Sequence, residues 1–236
     1  MRHLTTRRGG FVGAILLNLC GAFGQMTFAA ERPVQIPPPV LDNPKTAGPA
    51  QTAVLAGGCF WGVQAVFQHL NGVQRALSGY AGGERTTAQY EEVSTGRTGH
   101  AESVQITFDP SVVSYGEILR VFFSVAHDPT QLNRQGPDTG TQYRSAIFYT
   151  DDRQEEIARA YIQQLEQANK FSEPIVTHVE ALEGFYPAEA YHQDYLLNHP
   201  TQPYIAINDL PKVRNFQRML PELYVGKAVS VGPVKQ

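Results

Sequence analysis

Cysteine is scarce in this sequence, because the 236-residue chain contains only Cys20 and Cys59. Two cysteines are too few for a disulfide framework. Neither belongs to a CxxC pair, so we expect neither a structural zinc site nor any other bound metal. A free cysteine is either a small buried apolar side chain or a reactive thiol, and its surroundings distinguish the two.

Charge is sparse as well. Charged residues make up 17% of the chain, and the formal net charge is −3. No run of lysine and arginine resembles the basic surface of a nucleic-acid-binding protein, so a nucleic acid partner is not expected. The hydrophobic fraction of 42% is enough for one core of ordinary size.

The apolar run near the N-terminus is too short to span a bilayer comfortably. Residues 1–30 combine early arginines, the apolar stretch FVGAILLNLCGAFG and the small residues of MTFAA, which is typical of a secretory signal peptide. Its cleavage would remove Cys20 and leave Cys59 as the sole thiol. An uncleaved membrane anchor is the alternative, and the pair Arg7-Arg8 leaves Sec and twin-arginine export both open. We therefore expect a periplasmic or secreted protein with no stable membrane insertion after cleavage.

The rest of the chain divides into two parts. Residues 31–51 contain six prolines and no apolar period, which predicts an extended linker or arm. From residue 52 the composition is that of a globular protein, and we assign residues 52–236 to one folded domain. We expect this domain to be a monomer.

Strands and helices alternate along the globular part. TAVLA (52–56) is typical of a buried strand, and apolar residues at i, i+3, i+4 and i+7 from Val63 predict a helix that ends near residues 71–72. Further strands are predicted at 72–83, 101–110, 144–150 and 177–182, and further helices at 115–127 and 151–169. Some strands alternate polar and apolar residues while others are apolar throughout. This favours an α+β sandwich with a mixed or antiparallel sheet covered mainly on one face.

Cys59 lies at the strand-to-helix turn, within the stretch GGCFWG. Unpaired backbone N–H groups and the positive end of the helix dipole favour a thiolate there. Phe60 and Trp61 follow directly and are either ordinary core aromatics or the walls of a slot beside a nucleophile. Such a slot suits a soft electrophile with a small alkyl group, such as sulfur bearing a methyl.

Four other polar side chains are ambiguous when each is taken alone. Glu102 lies at the start of a predicted strand, Asp138 and Tyr143 lie in the loop DTGTQYRS, and Tyr90 lies in AQYEEV. Glutamates commonly face solvent, loop aspartates commonly make turns, and tyrosines commonly pack. Each of them has a role in a site only if the fold places its side chain close to Cys59.

Taken together, these motifs resemble those of a known family. GCFWG, Tyr90, TGHAE, DTGTQYRS and FYPAEAYHQDYL, in this order, are similar to the motifs of the peptide methionine sulfoxide reductases of the A type. The likeness extends over about residues 53–200. It implies a two-layer α/β sandwich, the ferredoxin-like plait, with a mixed and mainly antiparallel sheet. It also implies reduction of the S epimer of methionine sulfoxide, free or in oxidised proteins.

The resemblance assigns roles to the residues of GCFWG. Cys59 would match the nucleophile that attacks the sulfoxide sulfur. Phe60 and Trp61 would match the substrate-binding pocket that holds the methyl group.

The resemblance also assigns an acid. Glu102 would protonate the sulfoxide oxygen, the hydroxyls of Tyr90 and Tyr143 would assist it, and Asp138 would support substrate and water. The chemistry agrees, since a sulfoxide oxygen is a poor leaving group until it is protonated. Glutamate can supply that proton if a poorly hydrated aromatic pocket raises its pKa toward neutrality.

The chain departs from many family members in its C-terminal part. Those members carry further cysteines that resolve the oxidised nucleophile as a disulfide, whereas residues 199–224 contain none. We therefore expect a sulfenic acid on Cys59 and recycling by an external thiol reductant, which is thioredoxin-like, glutaredoxin-like or glutathione. No bound cofactor is expected.

Two other functions remain open. A thiol hydrolase would activate Cys59 with a histidine, and the candidates are His100, His127, His178 and His192. A non-catalytic module would bind oxidised or aromatic ligands without consuming them. Turnover of a sulfoxide substrate distinguishes the reductase from both.

Overall fold

The computed structural model of the protein describes residues 32–232 together with Met1. The predicted signal peptide and Cys20 lie outside the described residues, so export and localisation stay predictions. Within the described part, none of the helices combines the length and the apolar character needed to cross a membrane.

A mixed sheet of six strands forms the centre of the protein. The strands of the chain are β1 Gln51–Gly57, β2 Val73–Ala81, β3 Ala101–Phe108, β4 Arg134–Gln135, β5 Asp138–Thr139, β6 Ser145–Tyr149, β7 His178–Ala181 and β8 Phe185–Pro187. The sheet order is β7-β6-β1-β3-β2-β8, while β4 and β5 pair separately. Only β6 and β7 are parallel among the neighbours in this sheet, so the predicted mixed, mainly antiparallel sheet is confirmed.

Helices pack on the sheet. They are α1 Phe60–Gln68, α2 Tyr90–Val93, α3 Tyr115–Val121, α4 Asp152–Gln167, α5 Tyr195–Asn198 and α6 Leu210–Met219. Two π-helical turns, Phe122–Ala126 and Ile205–Asp209, follow α3 and precede α6. The predicted strands and helices are confirmed, although α1 ends three residues early, because Leu70 pairs with Tyr224 in an antiparallel bridge. Helix α6 was not predicted.

The main core lies between one face of the sheet and the helices. Side chains such as Leu55, Phe67, Ile106, Leu119 and Phe123 are fully buried there. The opposite face of the sheet carries a smaller cluster composed largely of alanines. This difference in side-chain size agrees with a sheet that is covered mainly on one face.

The proline-rich segment is extended and packs along α3 and α4. Ile36 is 3% exposed and joins the main core. The Tyr161 hydroxyl of α4 donates a hydrogen bond to the Pro37 carbonyl over 2.7 Å. The backbone N–H of Gly116, in the first turn of α3, donates to the Asp42 carboxylate over 2.8 Å. The predicted arm is thus held against the domain by both apolar and polar contacts.

Candidate active site

The sheet register brings the predicted site residues to one edge. Strand β1 ends at Gly57, and its antiparallel neighbours β3 and β6 both begin beside that end, at Ala101 and Ser145. The chain then turns through Gly58, whose φ of +87° favours glycine, and where a Cβ would overlap the Gln135 side chain. Antiparallel pairing therefore places the start of β3 and the loop before β6 next to the start of α1.

A pocket of about 190 Å³ lies at this edge. Its lining residues are Cys59, Phe60, Trp61, Tyr90, Glu102, Asp138, Tyr143 and Tyr204. All seven residues that the sequence pointed to meet here. Tyr204 is an addition that sequence reasoning missed, since neither spacing nor a quoted motif distinguished it from a packing tyrosine.

Cys59 is the N-terminal capping residue of α1 and is only 8% exposed. Burial raises the pKa of its thiol well above the usual value, and the negative charges of Asp209 and Glu102 raise it further. A backbone hydrogen bond from Trp61 lowers the same pKa. The predicted helix-start effect is therefore present, but the predicted thiolate is wrong, because burial and the charge of Asp209 outweigh that effect.

Glu102 reaches the same helix start from β3. Its Oε2 accepts a hydrogen bond from the Phe60 backbone N–H over 3.0 Å, and its side chain is almost fully buried. Burial raises the pKa of Glu102 to about 8, despite the opposing effect of the Phe60 hydrogen bond. The predicted shift toward neutrality is confirmed, and the carboxyl group is protonated at neutral pH.

The raised pKa of Glu102 has a consequence for stability. The pKa of this buried carboxyl group rises from 4.5 to about 8 on folding. Its contribution to the free energy of unfolding is therefore fully present below pH 4.5 and is lost as the pH rises through about 8. As the pH rises from 5 to 9, the unmodified protein should lose up to about 4 kcal/mol of unfolding free energy that Glu102→Gln does not lose. Urea unfolding at both pH values measures this difference, and an equal difference at pH 5 and pH 9 would contradict it.

Hydroxyl groups line the polar side of the pocket. Burial raises the pKa values of Tyr90 and Tyr143, and the charge of Glu102 adds to both shifts. Both phenols therefore remain protonated and can donate hydrogen bonds near neutral pH. The Tyr204 hydroxyl donates to Asp138, whose pKa is raised by burial.

Trp61 is held on two sides. Its ring stacks on Tyr195 with the ring centroids 3.8 Å apart and the planes 10° apart. Its Nε1–H donates a hydrogen bond to Nδ1 of His192 over 3.1 Å. His192 must be neutral, with its proton on Nε2, to accept this bond, and burial lowers its pKa accordingly. The aromatic wall is thus fixed before a ligand arrives.

The histidines needed by a thiol hydrolase are not in the pocket. None of the four candidate histidines lines it. His127 makes its ring hydrogen bonds to the Phe122 carbonyl over 3.1 Å and to the Ser145 hydroxyl over 2.7 Å. Burial lowers the pKa of His127 to about 3. The geometry therefore gives Cys59 an acid, Glu102, rather than a histidine base.

A metal site is not formed by the described residues. Across residues 32–232, no three histidine, cysteine, aspartate or glutamate side chains are grouped so that they could hold an ion. The chemistry that this pocket can perform rests on its thiol, its protonated carboxyl group and its phenols.

Comparison with known proteins shows the family of the chain. Residues 51–223 match the family model described as peptide methionine sulfoxide reductase. A peptide methionine sulfoxide reductase MsrA 2 of Mesorhizobium japonicum is 60% identical over 187 residues, which cover 79% of this chain and 96% of that protein. The MsrA 2 of Synechocystis is 53% identical over 186 residues, covering 78% of this chain and 87% of that protein.

Solved structures are similar as well. The reduced form of Mxr1 from Saccharomyces cerevisiae has a TM-score of 0.59 at 36% identity, over 67% of this chain and 92% of that one. Methionine sulfoxide reductase A of Corynebacterium diphtheriae has a TM-score of 0.56 at 35% identity, over 74% of this chain and 88% of that one. The chain therefore belongs to the peptide methionine sulfoxide reductase family, and it is an oxidoreductase that reduces methionine sulfoxide.

Proposed function

We propose that Cys59 attacks the sulfur of methionine-S-sulfoxide and that Glu102 protonates the departing oxygen. One observation carries this assignment. The buried and protonated carboxyl group of Glu102 is hydrogen-bonded, over 3.0 Å, to the backbone N–H of Phe60, the residue that directly follows Cys59. Acid and nucleophile thus share one helix start. Substitution of each residue, described in the Discussion, tests the assignment.

The proposed step balances without a cofactor. The sulfur of Cys59 first bonds to the sulfoxide sulfur, and the protonated oxygen then passes to Cys59 as this S–S bond breaks. Cys59 is thus oxidised by two electrons to a sulfenic acid, and the substrate is reduced by two to methionine. Glu102 gives its proton to the oxygen as the S–O bond of the substrate breaks. The proton released from the Cys59 thiol restores Glu102. No net proton is consumed, and the site is ready for recycling.

The remaining pocket residues bind the substrate in this scheme. The rings of Phe60 and Trp61 take the methyl group, and the hydroxyls of Tyr90 and Tyr143 donate hydrogen bonds to the oxygen as negative charge develops on it. Holding the methyl and the oxygen on opposite sides leaves the third substituent of sulfur to point out of the pocket. A pocket of this kind accepts one sulfur epimer, and the family resemblance implies the S form.

Asp138 supports the polar side of the bound substrate. Its carboxyl group accepts a hydrogen bond from Tyr204, so the two side chains form one wall of the pocket. A carboxyl group in this wall suits a water molecule or a polar group next to the sulfoxide. Free methionine sulfoxide and oxidised proteins both present the same methyl sulfoxide to this wall.

An external thiol recycles the enzyme. Cys59 is the free cysteine of the described residues, so its sulfenic acid has no neighbouring thiol there with which to condense. An external thiol displaces water from the sulfenic acid to form a mixed disulfide, and a second thiol releases Cys59. The reductant is a thioredoxin-like or glutaredoxin-like protein, or glutathione.

Without reductant, the Cys20→Ser protein should release one methionine per chain and then stop. Cys59 is then left with one added oxygen atom, because no second thiol can return it to the reduced state. Chromatography counts the methionine, and the mass of the Cys59 peptide with and without dimedone identifies the sulfenic acid. Two methionines per chain, or an unoxidised Cys59 after turnover, would overturn the single-thiol cycle.

We also infer a ferredoxin-like plait within the sheet. The elements β1, α1, β2, β3, α3 and β6 follow the order of that fold, with strands arranged β6-β1-β3-β2 and every neighbouring pair antiparallel. Strands β7 and β8 then extend the two edges.

We further propose export of the protein as a monomer to the periplasm or outside the cell. Support comes from the pattern of residues 1–30, which is that of a signal peptide. The intact mass of the exported protein locates the cleavage site, and sedimentation gives its oligomeric state. A mass that includes residues 1–30 would contradict cleavage.

A further inference from the structure

A third carboxylate lies against the helix that Cys59 begins. Asp209 ends the π-helical turn before α6 and is completely buried. A Cβ added at Gly62, in the first turn of α1, would overlap the Asp209 carboxylate oxygen Oδ1. The last glycine of GCFWG therefore has a structural reason: it lets a negatively charged side chain approach the start of α1.

The ion pair that Asp209 makes is itself buried. Nζ of Lys212, in the first turn of α6, lies 3.6 Å from Oδ1 of Asp209, and the two side chains are 7% and 0% exposed. Removing both charges from water is unfavourable, and a buried pair is weak support for a purely stabilising role. The charge of Asp209 also affects the ionisable groups of the neighbouring pocket.

The charges of this pair act on ionisable groups of the pocket. The Asp209 charge is the largest contribution after burial to the raised pKa of Cys59, and it also raises the pKa of Glu102. The Lys212 charge lowers the pKa of Asp138. Besides Asp209, the carboxyl groups that act on Cys59 are Glu102 and Asp138. Asp209 is therefore a charged group outside the pocket wall that raises the pKa of the Cys59 thiol.

We propose that Asp209 is a positioning residue whose buried carboxylate protects the Cys59 sulfur from peroxide while Cys59 waits for substrate or for reductant. Hydrogen peroxide oxidises a thiolate to a sulfenate, with release of water, and oxidises a sulfenate to a sulfinate in the same way. Both reacting forms carry a negative charge on the cysteine. A buried negative charge packed against the first turn of the helix that Cys59 caps disfavours both forms and so slows both oxidations.

The need for such protection follows from the recycling scheme. A sulfenic acid that is reduced only by an external thiol can be oxidised a second time before that thiol binds. The resulting sulfinic acid inactivates the enzyme irreversibly. The protection of the sulfenic acid thus rests on the proposed function, whereas the protection of the thiol does not.

The test compares Asp209→Asn with the unmodified protein, each carrying Cys20→Ser. Asparagine keeps the shape that packs against Gly62 and removes the charge. The double variant Asp209→Asn, Lys212→Met avoids leaving a buried ammonium beside a neutral amide. Asp42→Asn is the matched control, because Asp42 caps α3 and does not line the pocket. Emission from Trp61, the one tryptophan of the chain, reports whether each variant keeps the native pocket.

Two rates are measured by intact mass at neutral pH with hydrogen peroxide. The first is oxidation of the reduced protein, and the second is conversion of the preformed sulfenic acid to the sulfinic acid. We expect both rates to rise roughly tenfold in the single and double variants, the effect of a tenfold larger anionic fraction. Alkylation of Cys59 by iodoacetamide should rise in parallel, and Asp42→Asn should change none of these rates.

The outcomes separate the inference from the proposed function. Unchanged oxidation and alkylation of the reduced thiol in a folded Asp209 variant would overturn the protective role. If sulfoxide turnover leaves no sulfenic acid on Cys59, the proposed function fails, while the peroxide reaction of the thiol still decides the inference.

Discussion

We expect Cys59→Ser to abolish reduction of methionine sulfoxide, with a loss of at least about 10⁴-fold in the single-turnover rate. A serine hydroxyl is a far weaker nucleophile toward sulfur and ionises much less readily than a thiol. The buried site and its neighbouring carboxylates disfavour an anion at this position still more. Release of methionine, followed by rapid quenching and chromatography, measures the rate.

Two controls accompany this substitution. Cys20→Ser should retain full activity, because Cys20 lies in the predicted signal peptide. Cys59→Ser itself should show the same Trp61 emission and the same unfolding transition as the unmodified protein, since serine is similar in shape to cysteine and slightly smaller. Sulfoxide reduction above a trace by the folded serine variant would remove Cys59 from the mechanism.

We expect Glu102→Gln to slow sulfoxide reduction by roughly 10²–10⁴-fold and to leave substrate binding nearly unchanged. Glutamine keeps the shape of the side chain, and its carbonyl oxygen can still accept the hydrogen bond from the Phe60 N–H. It cannot transfer a proton to the sulfoxide oxygen. The loss should therefore appear in the maximum single-turnover rate, with little change in the substrate concentration that gives half of that rate.

The pH profile makes the role of Glu102 specific. The acid form is present below its pKa of about 8, so the unmodified enzyme should lose activity as the pH rises through that value. Glu102→Gln should show no decline assignable to this group. Glu92→Gln, on the exposed surface of α2, is the matched control and should behave like the unmodified protein. An unchanged single-turnover rate for Glu102→Gln near neutral pH would make Glu102 structural.

Local patterns in the sequence determined much of the fold. The short apolar run before Gly57 and the helical period from Val63 predicted β1 and α1, and therefore the strand-to-helix turn at Cys59. These features depend on residues that are close together along the chain. Helix α6 was not predicted, because its composition is polar overall; its apolar residues nevertheless share one helical face, which packs against α1 and the π-helical turn Phe122–Ala126.

The site residues themselves were found through motifs, since Glu102, Asp138 and Tyr143 have ordinary surface or turn roles when each is taken alone. Their meeting depends on strand register, because β3 and β6 both begin where β1 ends. Tyr204 and Asp209 join from the far end of the chain through the turn before α6, and no spacing in the sequence pointed to them.

The electrostatic state of the site was decided by the tertiary structure alone. Position at a helix start predicted a thiolate for Cys59, yet the thiol is favoured in the folded protein. The same burial that raises the pKa of Cys59 raises that of Glu102 to about 8. The physical reason is that desolvation and charge–charge effects depend on every group that surrounds a site in space. The sequence by itself determined which chemical groups are present, and the packing of distant segments decided which of them carry a proton.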